Sequence, residues 1–246
     1  MTTYYKTITN NSKLNTSSGS KLELPAMFSD LSALIISRCS FLQGLIQKVI
    51  YAAHGPELLA AKSTLKDFPN PKARLDFIST FPFSEADPIV FSVFNYSRAL
   101  FLEIYDLRNV LAHEVWMSSK AFEGAVLCSR LNEEARLMMA SGRVYHDEET
   151  KSHQVYDAII RYIENIKIIA VEDLKNALKD ADLCAWILMQ ISHVLNEQDI
   201  EKMEQMRRAF TVFKGTSHLF SADNRSSEKI VVRSLRKKEI RDKPEN

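Results

Sequence analysis

A single apolar stripe constrains this chain more than any other feature. Beyond Asp87-Pro88, the residues Ile89, Val93, Tyr96, Leu100, Ile104, Leu107 and Leu111 recur at three- and four-residue steps. At 100° per residue they fall within about 40° of one line, a helical face about six turns long. A strand would send alternate residues to opposite faces, so the spacing predicts a helix packed along its whole length. Asp87 as cap and Pro88 in the first turn start it. Continued past His113, the stripe would bring Glu114 to its centre. A carboxylate does not belong there, so the helix is expected to end or bend near His113.

The rest of the chain has the same texture. Leu31, Leu34, Ile35, Leu42, Leu45, Ile46, Val49 and Ile50 predict a long helix from Pro25 to about Ala53, stopped by Gly55-Pro56. A short helix follows at about 57–66, and Asn70-Pro71 opens another over "NPKARLDFIST". "AFEGAVLCSRL" fits a strand or a helix. "NEEARLMMASG" reads as a short helix closed by Gly142, and "RVYHDEETKSH" as a polar loop or hairpin. Helices are expected over about 154–179, 182–195 and 199–214, the last two joined by "NEQD" into a hairpin. Only six Gly and seven Pro interrupt 246 residues, which favours long helices over many short strands. The expected fold class is therefore all-α.

Four regions are expected: a flexible polar leader over 1–21, a helical domain over 22–180, a C-terminal helical hairpin over 181–221 packed on it, and a basic disordered tail over 222–246. The tail carries eight Lys or Arg against five Asp or Glu. It would add nonspecific RNA affinity or merely solubilise the end.

The formal charge is +1, so any polyanion site must be local. Cys39, Cys128 and Cys184 are odd in number and widely spaced, which fits buried thiols in a reducing compartment rather than a disulfide or zinc scaffold. The longest nearly charge-free run, "LCAWILMQISHVL", is shorter than the roughly 20 residues of a membrane span. A cytoplasmic protein without membrane contact is expected. His146 and His153 flank "DEET" in what reads as a solvated turn, so no metal or other cofactor is expected. His193 reads as a core histidine, His54 as a helix-terminal residue, and Arg207-Arg208 as a solvated face.

The chemistry-bearing stretch is "YDLRNVLAHEVW", Tyr105 to Trp116. Arg108 offers a planar, permanently charged fork suited to phosphate, and His113 can exchange a proton near neutral pH. Together they could cut RNA without metal, a base activating the ribose 2′-hydroxyl while the guanidinium offsets charge on the phosphate. A plain helix end is the alternative, since a His near a helix C-terminus gains about 0.3–1 kcal/mol from the helix dipole. Glu114 would repel a phosphate unless it points away.

Arg108-Asn109-Val110-Leu111-Ala112-His113, closing a long apolar helix, resembles the Arg-x4–6-His signature of the HEPN superfamily. The resemblance covers about residues 25–180 in helical texture and is sharp over these six positions. It implies a HEPN-like helical bundle and a metal-independent endoribonuclease of toxin–antitoxin, abortive-infection or other defence systems. It also implies an antitoxin or nucleotidyltransferase as a partner class. In that case Arg108 would contact the scissile phosphate, His113 would be the acid or base, and Asn109 would orient the site. Other members are non-cleaving nucleotide- or RNA-binding modules, and a helical regulator acting through protein contacts is a third reading.

On a straight helix Asn109 and His113 share a face, whereas Arg108 and His113 lie about 140° apart. A bend or a second chain would be needed to aim both at one phosphate. The face carrying His113 also carries Asn95, Arg98, Leu102, Tyr105 and Asn109. A twofold homodimer is expected, with Asn95, Arg98 and Tyr105 on its dimer or RNA-binding face.

Overall fold

The computed structural model describes residues 4–7, 22–80, 87–119, 122–133, 135, 159–197 and 199–220. His146, His153, Gly142 and the basic tail over 222–246 lie outside the described residues. The fold is mostly helical with one small antiparallel sheet. In chain order the elements are β1 (Lys6–Thr7), α1 (Phe28–His54), α2 (Leu58–Asp67), α3 (Pro71–Ile78), α4 (Pro88–His113) and β2 (Glu114–Met117). Then come β3 (Ala125–Arg130), β4 (Lys167–Ala170), α5 (Val171–Asn196), α6 (Ile200–Val212) and a 3-10 turn (Ser217–Phe220).

The start and stop signals work as the residues suggest. Asn70 Oδ1 accepts a hydrogen bond from Ala73 N at 2.8 Å, and Asp87 Oδ1 accepts one from Val90 N at 3.1 Å. Each satisfies a first-turn donor that has no partner within the helix. Gly55 closes α1 at φ +57°, a left-handed conformation that costs glycine nothing. Helix α4 ends at His113, as the stripe requires.

The chain forms two compact units, the described residues of Met1–Gly44 with Arg98–Ala185, and those of Leu45–Ser97 with Trp186–Asn246. In the first, Leu31, Ile35, Cys39 and Leu42 of α1 are buried, as are Phe101, Ile104, Leu107 and Leu111 of α4 and Leu174, Ala177, Ala181 and Cys184 of α5. All follow the 3–4 spacing of one helix face. In the second unit, α5 and α6 form the expected hairpin. Trp186 meets Phe210 edge-on at 5.7 Å and stacks on Phe213 at 4.1 Å, and Asp199 caps α6. His54 ends α1, with its ring nitrogen 3.0 Å from the Thr64 hydroxyl.

The sheet is the departure from an all-α expectation. Its order is β1-β4-β3-β2 with every pairing antiparallel. One face carries Met117 and Leu127, which pack with Ile166 and with Phe122, Tyr162 and Ile163. The other face carries Trp116, Cys128 and Ile169, and Trp116 meets Phe28 edge-on at 5.3 Å.

The sheet overturns several local expectations. "KIIA" is strand β4, so the helix expected over 154–179 is broken. Only 159–164 among its earlier described residues is helical, and α5 then runs unbroken from Val171 to Asn196. Short apolar runs carry no decisive period, and the β-branched Ile168 and Ile169 favour the strand. The leader is also in part structured. Tyr4 is buried with its hydroxyl on Asp180 at 2.6 Å, and Lys6–Thr7 pair with Lys167–Ile168.

Helix α1 is long and apolar enough, by length and composition, to cross a membrane, a test that the core helix of a folded protein also passes. His193 is exposed, not in the core. It sits about 200° round the helix from buried Ile191. Arg208 is exposed as expected, but Arg207 is not merely solvated: it donates to Asp87 and, at 2.7 Å, to Glu204.

Candidate functional site

The last turn of α4 brings Arg108, Asn109 and His113 together within one chain. Arg108 Nη1 donates to Asn109 Oδ1 at 3.1 Å and lies 3.1 Å from His113 Nε2. A guanidinium has donors only, so the imidazole nitrogen facing it accepts. As a hydrogen bond, this contact uses the Nε2 lone pair, which is the tautomer with the ring proton on Nδ1. Neither a bend nor a second chain is needed to bring Arg108 and His113 into contact. Their Cα directions diverge, but the flexible arginine stem folds back along the final turn.

A pocket of about 390 Å3 opens beside this cluster, its polar lining including Asp106, Asn109, His113, Glu114, Arg130 and Lys167. Sheet register assembles it. Glu114 faces Arg130 across β2–β3, and Lys167 faces Cys128 across β3–β4, so Glu114, Arg130 and Lys167 share one face. Glu114 does not point away from the pocket. Its side chain is only 7% exposed, and Oε1 contacts Lys167 Nζ, with Arg130 Nε at 3.8 Å. Two cations offset the carboxylate that would otherwise repel a phosphate at His113. The other oxygen, Oε2, is buried with no hydrogen-bond partner among the described residues.

Asp106 is tied down by Tyr5, the residue just before β1. Tyr5 donates its hydroxyl to Asp106 Oδ2 at 2.6 Å, and Lys167 Nζ sits 5.3 Å from the Tyr5 ring centre. Burial, reinforced by Asp106, pushes the Tyr5 phenol from 10.0 up to about 12.

The remaining expected residues stand apart from the pocket. Arg98 and Tyr105 are half-buried, Tyr105 stacking on Phe101 at 5.6 Å, and Asn95 is exposed. None of the three lines the pocket, and Arg108 stands beside it without lining it. Tyr5, Asp106, Arg130 and Lys167 were not anticipated from the sequence. The one signal that could have found Lys167 is the Lys-Ile-Ile-Ala pattern, had it been read as a strand. Cys39, Cys128 and Cys184 are free and buried. Burial pushes the Cys39 thiol up to about 11 and Cys128 to about 12, and raises Cys184 as well. Burial and the raised values leave them little of the thiolate form that a nucleophile needs. Among the described residues, no three His, Cys, Asp or Glu side chains cluster closely enough to hold a metal ion.

No protein-family model matches the chain, and no curated protein or solved structure matches it.

Proposed function

We propose that this protein is a HEPN-like, metal-independent endoribonuclease of the toxin or defence type that cuts RNA by 2′-hydroxyl attack. One observation carries the reading. A guanidinium, an amide and an imidazole converge within hydrogen-bond distance beside a pocket with two further cations.

In the resting chain Arg108 covers the Nε2 lone pair of His113. An RNA phosphate offers the guanidinium a charged, bidentate partner in place of a neutral nitrogen. Arg108 then swings to the phosphate and frees His113 Nε2 as base. The imidazole takes the 2′-hydroxyl proton, the 2′-oxygen attacks phosphorus, and the bond to the 5′-oxygen breaks. The departing 5′-oxygen takes a proton from water and the imidazolium returns its proton to solvent, leaving a 2′,3′-cyclic phosphate and a 5′-hydroxyl. Asn109 holds the Arg108 fork during this exchange. Because the cluster forms within one chain, a homodimer is compatible with this chemistry but is not needed to build it.

The test is RNA cleavage in EDTA with analysis of product ends. Cyclic phosphate ends, together with resistance of a substrate carrying a 2′-deoxy sugar at the cut, are the expected result. Binding without cleavage, weakened by salt and lost in Arg108→Ala, would replace the enzyme with a binding module.

A further inference from the structure

The pocket beside His113 contains an oxygen that the protein itself leaves unsatisfied. Glu114 is nine-tenths buried and lines the cavity, and its Oε2 has no hydrogen-bond partner among the described residues. Its sister Oε1 is held by Lys167, which lines the same cavity. A buried acceptor without a donor costs free energy in the empty protein, and a ligand bringing a donor recovers it.

We propose that this pocket reads a guanine base next to the bound phosphate. The inference rests on the reading of the Arg108–His113 cluster as an RNA phosphate site. Lys167 Nζ on Glu114 Oε1, with Oε2 on the same carboxylate, supplies in order a donor, an acceptor and an acceptor, the row a ligand would meet. The Watson–Crick edge of guanine presents the complement: O6 accepts, and N1–H and N2–H donate. Each carboxylate oxygen has lone pairs enough to accept from the base while Oε1 keeps Lys167. No other base fits the row. Uracil and cytosine each offer one donor position with two acceptors, and adenine offers an amino donor beside a single ring acceptor.

Size and placement agree. A cavity of about 390 Å3 lies within the range of small-ligand sites, roughly 300–1,000 Å3. His113 and Asn109 line it, so a base seated there is joined through its ribose to a phosphate at the catalytic cluster. The terminal torsion of a glutamate is broad, so the Glu114 carboxylate can turn to bring the buried Oε2 to a ligand in the cavity. Arg130, whose side chain is 70% exposed, supplies positive charge beside Glu114.

The experiment is calorimetric titration of the 246-residue chain in EDTA with guanosine, inosine, adenosine, cytidine and uridine monophosphates, each as the 3′ and the 5′ isomer. A guanosine monophosphate should bind roughly 5- to 150-fold more tightly than those of adenosine, cytidine and uridine, the range of one good bidentate base contact. Inosine lacks only the N2 amino group and should lose at least about fivefold against guanosine. Glu114→Gln should erase the preference. Should that variant fail to fold, the guanosine–inosine comparison on the native chain decides alone. Equal binding of guanosine and inosine, or a preference surviving in folded Glu114→Gln, overturns the proposal. Failure of the ribonuclease reading looks different: guanine preference would persist in a chain that cuts no RNA. His113-dependent cutting without any base preference would sink this inference and leave the enzyme standing.

Discussion

Replacing Lys167 with Met should destabilise the protein by about 2–5 kcal/mol. Lys167 and Glu114 are 12% and 7% exposed, and their charged atoms are in contact. Two unit charges about 3 Å apart attract by about 5 kcal/mol at an effective permittivity of 20, most of which offsets the cost of desolvating both. Removing one partner of such a pair typically costs about 3–5 kcal/mol, because the other charge stays buried. Here Arg130 remains 3.8 Å from Glu114, but its side chain is 70% exposed. A solvent-screened partner returns only about 0–1 kcal/mol. The net loss would lower the melting temperature by about 4–20 °C, at about 2–4 °C per kcal/mol for a chain of this size. Urea unfolding followed by circular dichroism measures it directly. The second arm is Glu114→Gln in the Lys167→Met background, which removes the stranded charge. The double variant should lose clearly less than the sum of the two single losses. A Lys167→Met loss below about 0.5 kcal/mol, the scale of an ordinary surface change, would refute the reasoning. So would simple additivity.

Other consequences follow from the same structure. The Tyr5 phenol titrates near 12 instead of 10.0, so its contribution to stability is fully present below pH 10 and is lost as pH rises from 10 to 12. The stability advantage of the native chain over Tyr5→Phe should therefore shrink across that window, as measured by denaturant unfolding at each pH. With Cys39 near 11 and Cys128 near 12, native thiols at pH 8 should react with an aromatic disulfide reagent at least about a hundredfold more slowly than after unfolding, when all three are titrated. Asn70→Ala removes the side-chain acceptor of the first turn of α3 and should cost about 0.5–2 kcal/mol in urea unfolding, whereas Asn70→Asp should cost little.

The helices were largely legible in the sequence because their information is local. Caps at Asn70 and Asp87, the stop at Gly55 and the apolar stripes each act within a few residues. The end of α4 at His113 was legible for the same reason, since one residue further the stripe would have buried a carboxylate in the core. The sheet was not legible. Its strands are two to six residues long and come from four separated places. A strand as short as "KIIA" has no period to distinguish it from a helix. The candidate site divided along the same line. Arg108, Asn109 and His113 lie within one turn and a half and were visible. The Glu114–Lys167 pair joins residues 53 apart through strand register, and nothing in either local sequence announces the other. The contact between Arg108 and His113 was hidden differently: angles around a helix describe where a side chain begins, not where a long one ends.

The most direct test of the catalytic role is the single-turnover rate of RNA cleavage in EDTA for the native chain and for folded His113→Ala. General acid–base assistance is worth about 10²–10⁴-fold, so the variant should cut slower by that factor. A folded His113→Ala that cuts RNA as fast as the native chain would contradict the account.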